Sequence, residues 1–234
     1  MIKAVFFDWF NTLAHYYPPR EELERQALHE LGFTVSPQVI SRGLYLADKN
    51  FYEENARLPV RQRSPEEQLK IYSGFQVTIL QEAGIAPQQD LVLKMMTRMR
   101  ELNSTMKFIL YDDVLPAFKA VKDKKLTIGL LTNLQREIDS MCLELGIASF
   151  IDFTVTSGEV GADKPQAPIF LKALELAKVR PQEAIHIGDQ YNNDVKGARA
   201  VGIVPLLLDR TNLYPEITDC PRIQSLIEVT KYLS

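Results

Sequence analysis

The 234-residue sequence predicts an α/β fold: a three-layer core with a parallel sheet, interrupted after its first strand by an all-helical insert. Three observations carry this prediction. Residues 2–7 (IKAVFF) and four later short runs are almost wholly apolar, as strands covered on both faces are. From residue 113 onward, helical patterns alternate with those runs, which implies parallel pairing and right-handed crossovers. Between residues 15 and 107, by contrast, four helical patterns follow one another and no convincing strand intervenes.

Taken in order, the first strand is broken only by Lys3 and ends at Asp8. The insert reads as helices over 21–31, 37–55, 65–83 and 88–103, punctuated by Gly32, Pro37, Pro59, Pro65, Gly84 and Pro87. Helix 113–124 leads to strand 126–132, which ends at Asn133. Helix 135–145 leads to strand 153–156, which ends at Ser157 and Gly158. Helix 169–178 leads to strand 184–187, ending at Gly188 and Asp189, and helix 193–201 leads to strand 204–208, ending at Asp209. The expected domains are therefore a core of 1–14 with 107–234 and an insert of 15–106.

The formal net charge is −3, from 27 basic and 30 acidic side chains. That balance argues against a nucleic-acid or anionic-membrane surface, which needs a clustered basic excess. It leaves a small molecule as the expected partner; oligomeric state is not legible. No apolar run approaches the roughly 18 residues that span a bilayer. Asp8 interrupts the apolar N-terminus and no small-residue cleavage site follows, so the chain reads as cytoplasmic. Two cysteines, Cys142 and Cys220, provide neither a disulfide framework nor a cysteine-rich metal site.

Polar residues gather at the ends of four strands: Asp8, with Asn11 and Thr12 after it; Thr132 and Asn133; Lys164, in the loop following the third strand; and Asp189, with Asp194 five positions on. Ligands of open parallel sheets bind beyond the carboxyl ends of the strands. Asp113, Asp152 and Asp209 read instead as turn or helix-cap residues.

The stretches VFFDWFNTL, LLTN (130–133), SGEVGADKPQAPIF (157–170) and IGDQYNNDVKGARAVG (187–202) resemble, in order, the four signature motifs of the haloacid dehalogenase-like superfamily. The resemblance implies a Rossmann-like core, a helical cap inserted after the first motif, and covalent catalysis by Asp8, usually on phosphate esters with Mg²⁺. It further implies that Thr132, Asn133 and Lys164 hold the phosphate, with backbone N–H groups after Asp8 adding donors. Mg²⁺ would take Asp8, the backbone carbonyl of Phe10, Asp189 and Asp194, oxygen donors suited to a hard cation.

Phe10 departs from the pattern. Phosphatases of the superfamily usually carry a second aspartate two positions after the nucleophile, as general acid and base; phenylalanine cannot serve. His15 is a candidate substitute. The departure also resembles the 2-haloacid dehalogenases, which carry an aromatic residue there, need no metal and bind the substrate carboxylate with arginine; Arg42 is the candidate in the insert. A phosphonatase-like reading needs a cap lysine, for which Lys49 is the candidate. A non-catalytic phospho-ligand-binding protein is a further alternative. Charge favours the metal phosphatase: Asp8, Asp189 and Asp194 outnumber Lys164, and each like-charge pair costs on the order of 4 kcal/mol at 4 Å and an effective dielectric near 20. Tyr45, Tyr52, Arg57, Arg61 and Arg63 are insert residues able to touch a substrate, though helix packing explains them equally well.

Overall fold

β1 (Ala4–Phe7) is buried at all four positions and is followed by β2 (Ala14–Tyr17). Then come α1 (Arg20–Glu30), α2 (Pro37–Arg57), α3 (Pro65–Glu82) and α4 (Gln89–Asn103). The chain continues through β3 (Lys107–Leu110), α5 (Val114–Asp123), β4 (Thr127–Thr132), α6 (Asp139–Glu144), β5 (Phe153–Thr156) and α7 (Ser157–Val160). It ends with α8 (Ala167–Ala177), β6 (Ala184–Gly188), a π-turn (Tyr191–Val195), α9 (Lys196–Ala200), β7 (Val204–Leu208) and β8 (Arg222–Ile223). This computed structural model describes residues 1–135, 138–212 and 214–233. They divide into two units, Met1–His15 with Ile109–Ser234, and Tyr16–Phe108.

The first unit is built on a parallel sheet of order β5-β4-β1-β6-β7-β8. β1 lies inside it, Phe7 in register with Leu130 of β4 and Ile187 of β6. Neighbouring strand residues face opposite ways, and β1 needs cover on both sides. Phe6 packs with Ile169 and Phe170 of α8 and Ala198 of α9. Phe7 meets Phe118 of α5, ring centroids 5.1 Å apart. Helices on both faces explain why the strands read as unbroken apolar runs.

The second unit is helical, with a core of its own. Val92, Met95, Met99 and Leu102 of α4 recur at helical spacing and pack with Leu23, Ala27 and Leu28 of α1, Ile40 and Leu44 of α2, and Ile79 and Leu80 of α3. A capping box starts α3: Ser64 Oγ accepts from the Glu67 N–H, and a Glu67 carboxylate oxygen accepts from the Ser64 N–H. α2 and α3 approach closely at Gly43, where a Cβ would lie 3.2 Å from the Ile79 Cα.

The structure corrects several element expectations. β2 and β3 form a two-stranded sheet where no strand was expected. Each has four residues and β3 is exposed or half-buried throughout, so neither produces an apolar run. β8 is only two residues long. The helix expected over 135–145 is observed as Asp139–Glu144, and residues 136 and 137 lie outside the described residues. The helix expected over 193–201 opens instead with the π-turn. Cys142 packs in the core, burial pushing its thiol up to about 11. No helix among the described residues is long and apolar enough to cross a membrane.

Candidate active site

The sheet delivers Asp8, Thr132 and Asp189 to the carboxyl ends of three adjacent strands, β1, β4 and β6. The Asp8 N–H extends the β1–β6 ladder, donating to the Ile187 carbonyl at 2.9 Å. Lys164 comes from the loop between α7 and α8, and Asp194 from the π-turn. Lys164 Nζ lies 2.5 Å from Asp8 Oδ1 and 2.6 Å from Asp194 Oδ1. The amine is only 3% exposed, so two carboxylates offset the cost of burying it. Ligand oxygens of Asp8, Asp189 and Asp194 all fall within 4.8 Å of one another.

Local sequence explains the placement. Asp194 Oδ2 accepts from the Gln190 N–H at 3.0 Å, which ties it to the turn that carries it. Gly188 leaves room for it, since a Cβ there would lie 2.1 Å from the Asp194 Cγ. Thr156 caps α7 by accepting from the Glu159 N–H. After Asp8 the chain turns sharply: Leu13 and Ala14 donate to the Trp9 carbonyl and Asn11 donates to the Ala14 carbonyl. Asn11 adopts φ 60°, a left-handed conformation that asparagine tolerates. Those three amides are used inside the turn, which removes them from the anion donors expected after Asp8.

Asn133 clamps the lysine loop. Its Oδ1 accepts from the Lys164 N–H at 2.7 Å and its Nδ2 donates to the Lys164 carbonyl at 3.2 Å. The expected substrate contact of Asn133 thereby narrows to its second N–H. Thr132 is buried, and its Oγ1 accepts from the Leu134 N–H at 3.3 Å, leaving its own proton to donate.

Burial pushes the Asp8 carboxyl up to about 6, Lys164 opposing the rise and Asp194 adding to it. Burial, with Asp8 and Asp194 alongside, raises Asp189 well above the usual carboxylate range. Burial acts the same way on Asp194, but Lys164 and His186 outweigh it and hold that carboxyl low. One lysine thus compensates part of a three-carboxylate cluster. Asp8 Oδ2 and Asp189 Oδ1 are buried and have no hydrogen-bond partner among the described residues. Two unpartnered carboxylate oxygens on a crowded acidic cluster are what a divalent cation satisfies.

The sequence reading missed His186. It is fully buried on β6, and its Nε2 lies 2.9 Å from Asp194 Oδ1. An ionised carboxylate only accepts, so Nε2 carries the proton. Phe170 packs edge-on against the ring, centroids 5.2 Å apart. The one available signal was a polar residue inside the apolar run AIHIG.

His15 packs against Tyr111 with the rings tilted, centroids 4.5 Å apart. Arg42 is 73% exposed and pairs with Glu82, Lys49 is exposed, and Arg57 and Arg63 pair with Glu54. Asp113 makes no cap bond to α5. It accepts instead from Arg210, Ser225 and the Leu226 N–H, and so fastens the C-terminal segment.

The profile of the haloacid dehalogenase-like hydrolases matches residues 2–202. The chain belongs to that family. This hydrolase is 28% identical over 221 residues to the glyceraldehyde 3-phosphate phosphatase of Methanopyrus kandleri, spanning 90% of this chain and 85% of that protein. It is 39% identical over 83 residues to the haloacid dehalogenase-like hydrolase domain-containing protein 3 of Xenopus laevis, a match covering 36% of this chain and about a third (34%) of that relative. Among solved structures, the magnesium-bound HAD-hydrolase YfnB of Bacillus subtilis superposes with a TM-score of 0.66 at 17% identity, over 100% of this chain and 99% of that one. At that identity the likeness is one of fold.

Proposed function

We propose that this hydrolase is a Mg²⁺-dependent phosphatase of a small phosphorylated metabolite, with Asp8 as nucleophile. The observation that carries the reading is the cluster of Asp8, Asp189 and Asp194, with Asp8 Oδ2 and Asp189 Oδ1 buried and unpartnered. Asp8, Asp189, Asp194 and the Phe10 carbonyl would hold the ion. When bound, it supplies positive charge that neutralises the cluster and the phosphate. The phosphatase activity of the Methanopyrus kandleri relative supports the same assignment.

The chain's own residues have distinct tasks. Lys164 keeps Asp8 ionised and oriented, through the contact at Oδ1. A carboxylate oxygen of Asp8 attacks phosphorus, the bond to the leaving oxygen breaks, and an aspartyl-phosphate forms. The Thr132 hydroxyl and the Lys164 amine hold the phosphoryl oxygens. Water then attacks phosphorus, releasing phosphate and restoring Asp8. Phe10 provides no proton for the leaving oxygen, so that proton comes from water, and esters of acidic alcohols or phenols turn over fastest. The helical unit Tyr16–Phe108 is the cap of the same reading, and supplies specificity.

Dehalogenation is the second reading, favoured by Phe10 because a leaving halide needs no proton. The three carboxylates weigh against it. A rapid acid quench during turnover of an aryl phosphate separates the readings: a phosphoryl adduct on the peptide containing Asp8, absent in Asp8→Asn, supports the first. Turnover with no adduct and an active Asp8→Asn variant would sink it.

A further inference from the structure

The helical unit carries a second polar site. A cavity of ≈ 570 Å³ opens among α1, α2, α3 and α4, lined in part by Arg20, Glu24, Asp48 and Gln76. Arg20 and Asp48 satisfy each other: the guanidinium donates to both carboxylate oxygens at 3.0 and 3.1 Å and lies over the Phe75 ring, 5.3 Å from its centroid. Glu24 is left over. It is 2% exposed, and its Oε1 accepts from Gln76 Nε2 at 3.1 Å. Its Oε2 and the Gln76 Oε1 are both buried and both without a hydrogen-bond partner among the described residues.

Helix packing alone gives no reason for this arrangement. A leucine at position 24 would extend the apolar core formed by Leu23, Ala27 and Leu28. A buried carboxylate with an open acceptor costs stability unless a donor reaches it. The open groups are two neighbouring acceptors and no donor. Once Arg20 and Asp48 cancel, Glu24 in its ionised form leaves one buried negative charge; Arg100, also on the lining, is exposed and screened by solvent. Apart from Asn103, the rest of the lining is aromatic and apolar, including the stacked rings of Phe51 and Tyr72, 6.2 Å apart. Aromatic faces beside a carboxylate attract organic cations.

We propose that this cavity binds an organic primary ammonium, its N–H groups donating to Glu24 Oε2 and Gln76 Oε1 and its apolar body lying against Phe51, Tyr72 and Phe75. The site is contained within Tyr16–Phe108, and binding is measured without turnover, so the proposal stands or falls separately from the phosphatase reading. Burial also pushes the Glu24 carboxyl up to about 7, ahead of the opposing effects of Gln76 and Arg20, and an arriving cation favours its ionised form.

The test titrates the full-length protein with benzylammonium and, separately, with benzyl alcohol, which has the same apolar body and no charge, and follows both by ligand-observed NMR. Benzylammonium is expected to bind saturably and at least about tenfold more tightly, the factor a charge-assisted hydrogen bond supplies. Glu24→Gln keeps the shape of the side chain and should erase that preference without lowering the melting temperature. Gln76→Met removes the neutral acceptor together with the N–H that donates to Glu24, keeps the carboxylate, and should weaken benzylammonium by a smaller factor, which keeps the test decisive if the first variant misfolds. Equal affinity for the two probes, a preference that survives Glu24→Gln, or no saturable binding of either probe would each overturn the proposal.

Discussion

His186 and Lys164 converge on one atom: both reach Asp194 Oδ1, the ring from 2.9 Å and the amine from 2.6 Å. The histidine is fully buried, and its bond to Asp194 gives it, in the proposed site, the task of positioning that carboxylate. His186→Leu should therefore lower kcat by about 10–100-fold, the usual consequence of removing a partner that orients a ligating carboxylate. The same variant should need more Mg²⁺ for half-maximal activity. His186→Gln, which can still donate, should recover part of both losses. Steady-state kinetics over a Mg²⁺ series checks this; an unchanged Mg²⁺ requirement in the leucine variant would deny the positioning role.

The Asn133 clamp makes a parallel prediction. Asn133→Ala frees both backbone groups of Lys164, and the amine loses its fixed approach to Asp8. We expect kcat to fall by about 10–100-fold while the melting temperature changes little. If Asn133 were chiefly a substrate contact, KM would rise instead with kcat preserved.

Much of this arrangement was legible before folding was considered. Asp8, Thr132 and Asp189 each follow an apolar run, and a buried strand that stops at a polar residue marks the end of a sheet. His186 was hidden for the opposite reason: it lies inside such a run, where its partner depends on the path of a turn eight residues later. The Asn133 clamp joins residues 31 apart, across β5 and α7, and no local pattern encodes it. Glu24 was missed because REELERQ reads as a solvated helix face; only packing brings it to Gln76, 52 residues away. β2 and β3 escaped because a two-stranded sheet open to solvent needs no hydrophobic period.

Phe10→Asp restores the acid the motif lacks. Hydrolysis of an ordinary alkyl phosphate should rise, with a ceiling of about 10²–10⁴-fold set by general acid–base catalysis. A good-leaving-group aryl phosphate should gain far less, because its leaving oxygen needs no proton. Equal gains on the two substrates would mean that the aspartate acts some other way.

Glu24 makes stability depend on pH. Its carboxyl titrates at about 7 in the folded protein against an ordinary value of 4.5. Folding therefore favours the protonated form: the contribution is complete below about 4.5 and is lost as pH rises through about 7. The loss is on the order of 3 kcal/mol, at 1.36 kcal/mol per tenfold in proton affinity. Glu24→Gln cannot titrate, so its stability relative to the parent should increase between pH 5 and pH 8, measured by urea unfolding. A constant difference across that range would show that Glu24 is ionised throughout.

The Asp8 cluster is proposed to perform metal-assisted phosphoryl transfer. The most direct test is hydrolysis of p-nitrophenyl phosphate and of 2-chloropropionate, each with Mg²⁺ and each with chelator. Phosphate release is expected with Mg²⁺ and not with chelator, and no chloride under either condition. Chloride release that survives the chelator would contradict that proposal, and would make Phe10 rather than the carboxylate cluster the residue that defines the chemistry.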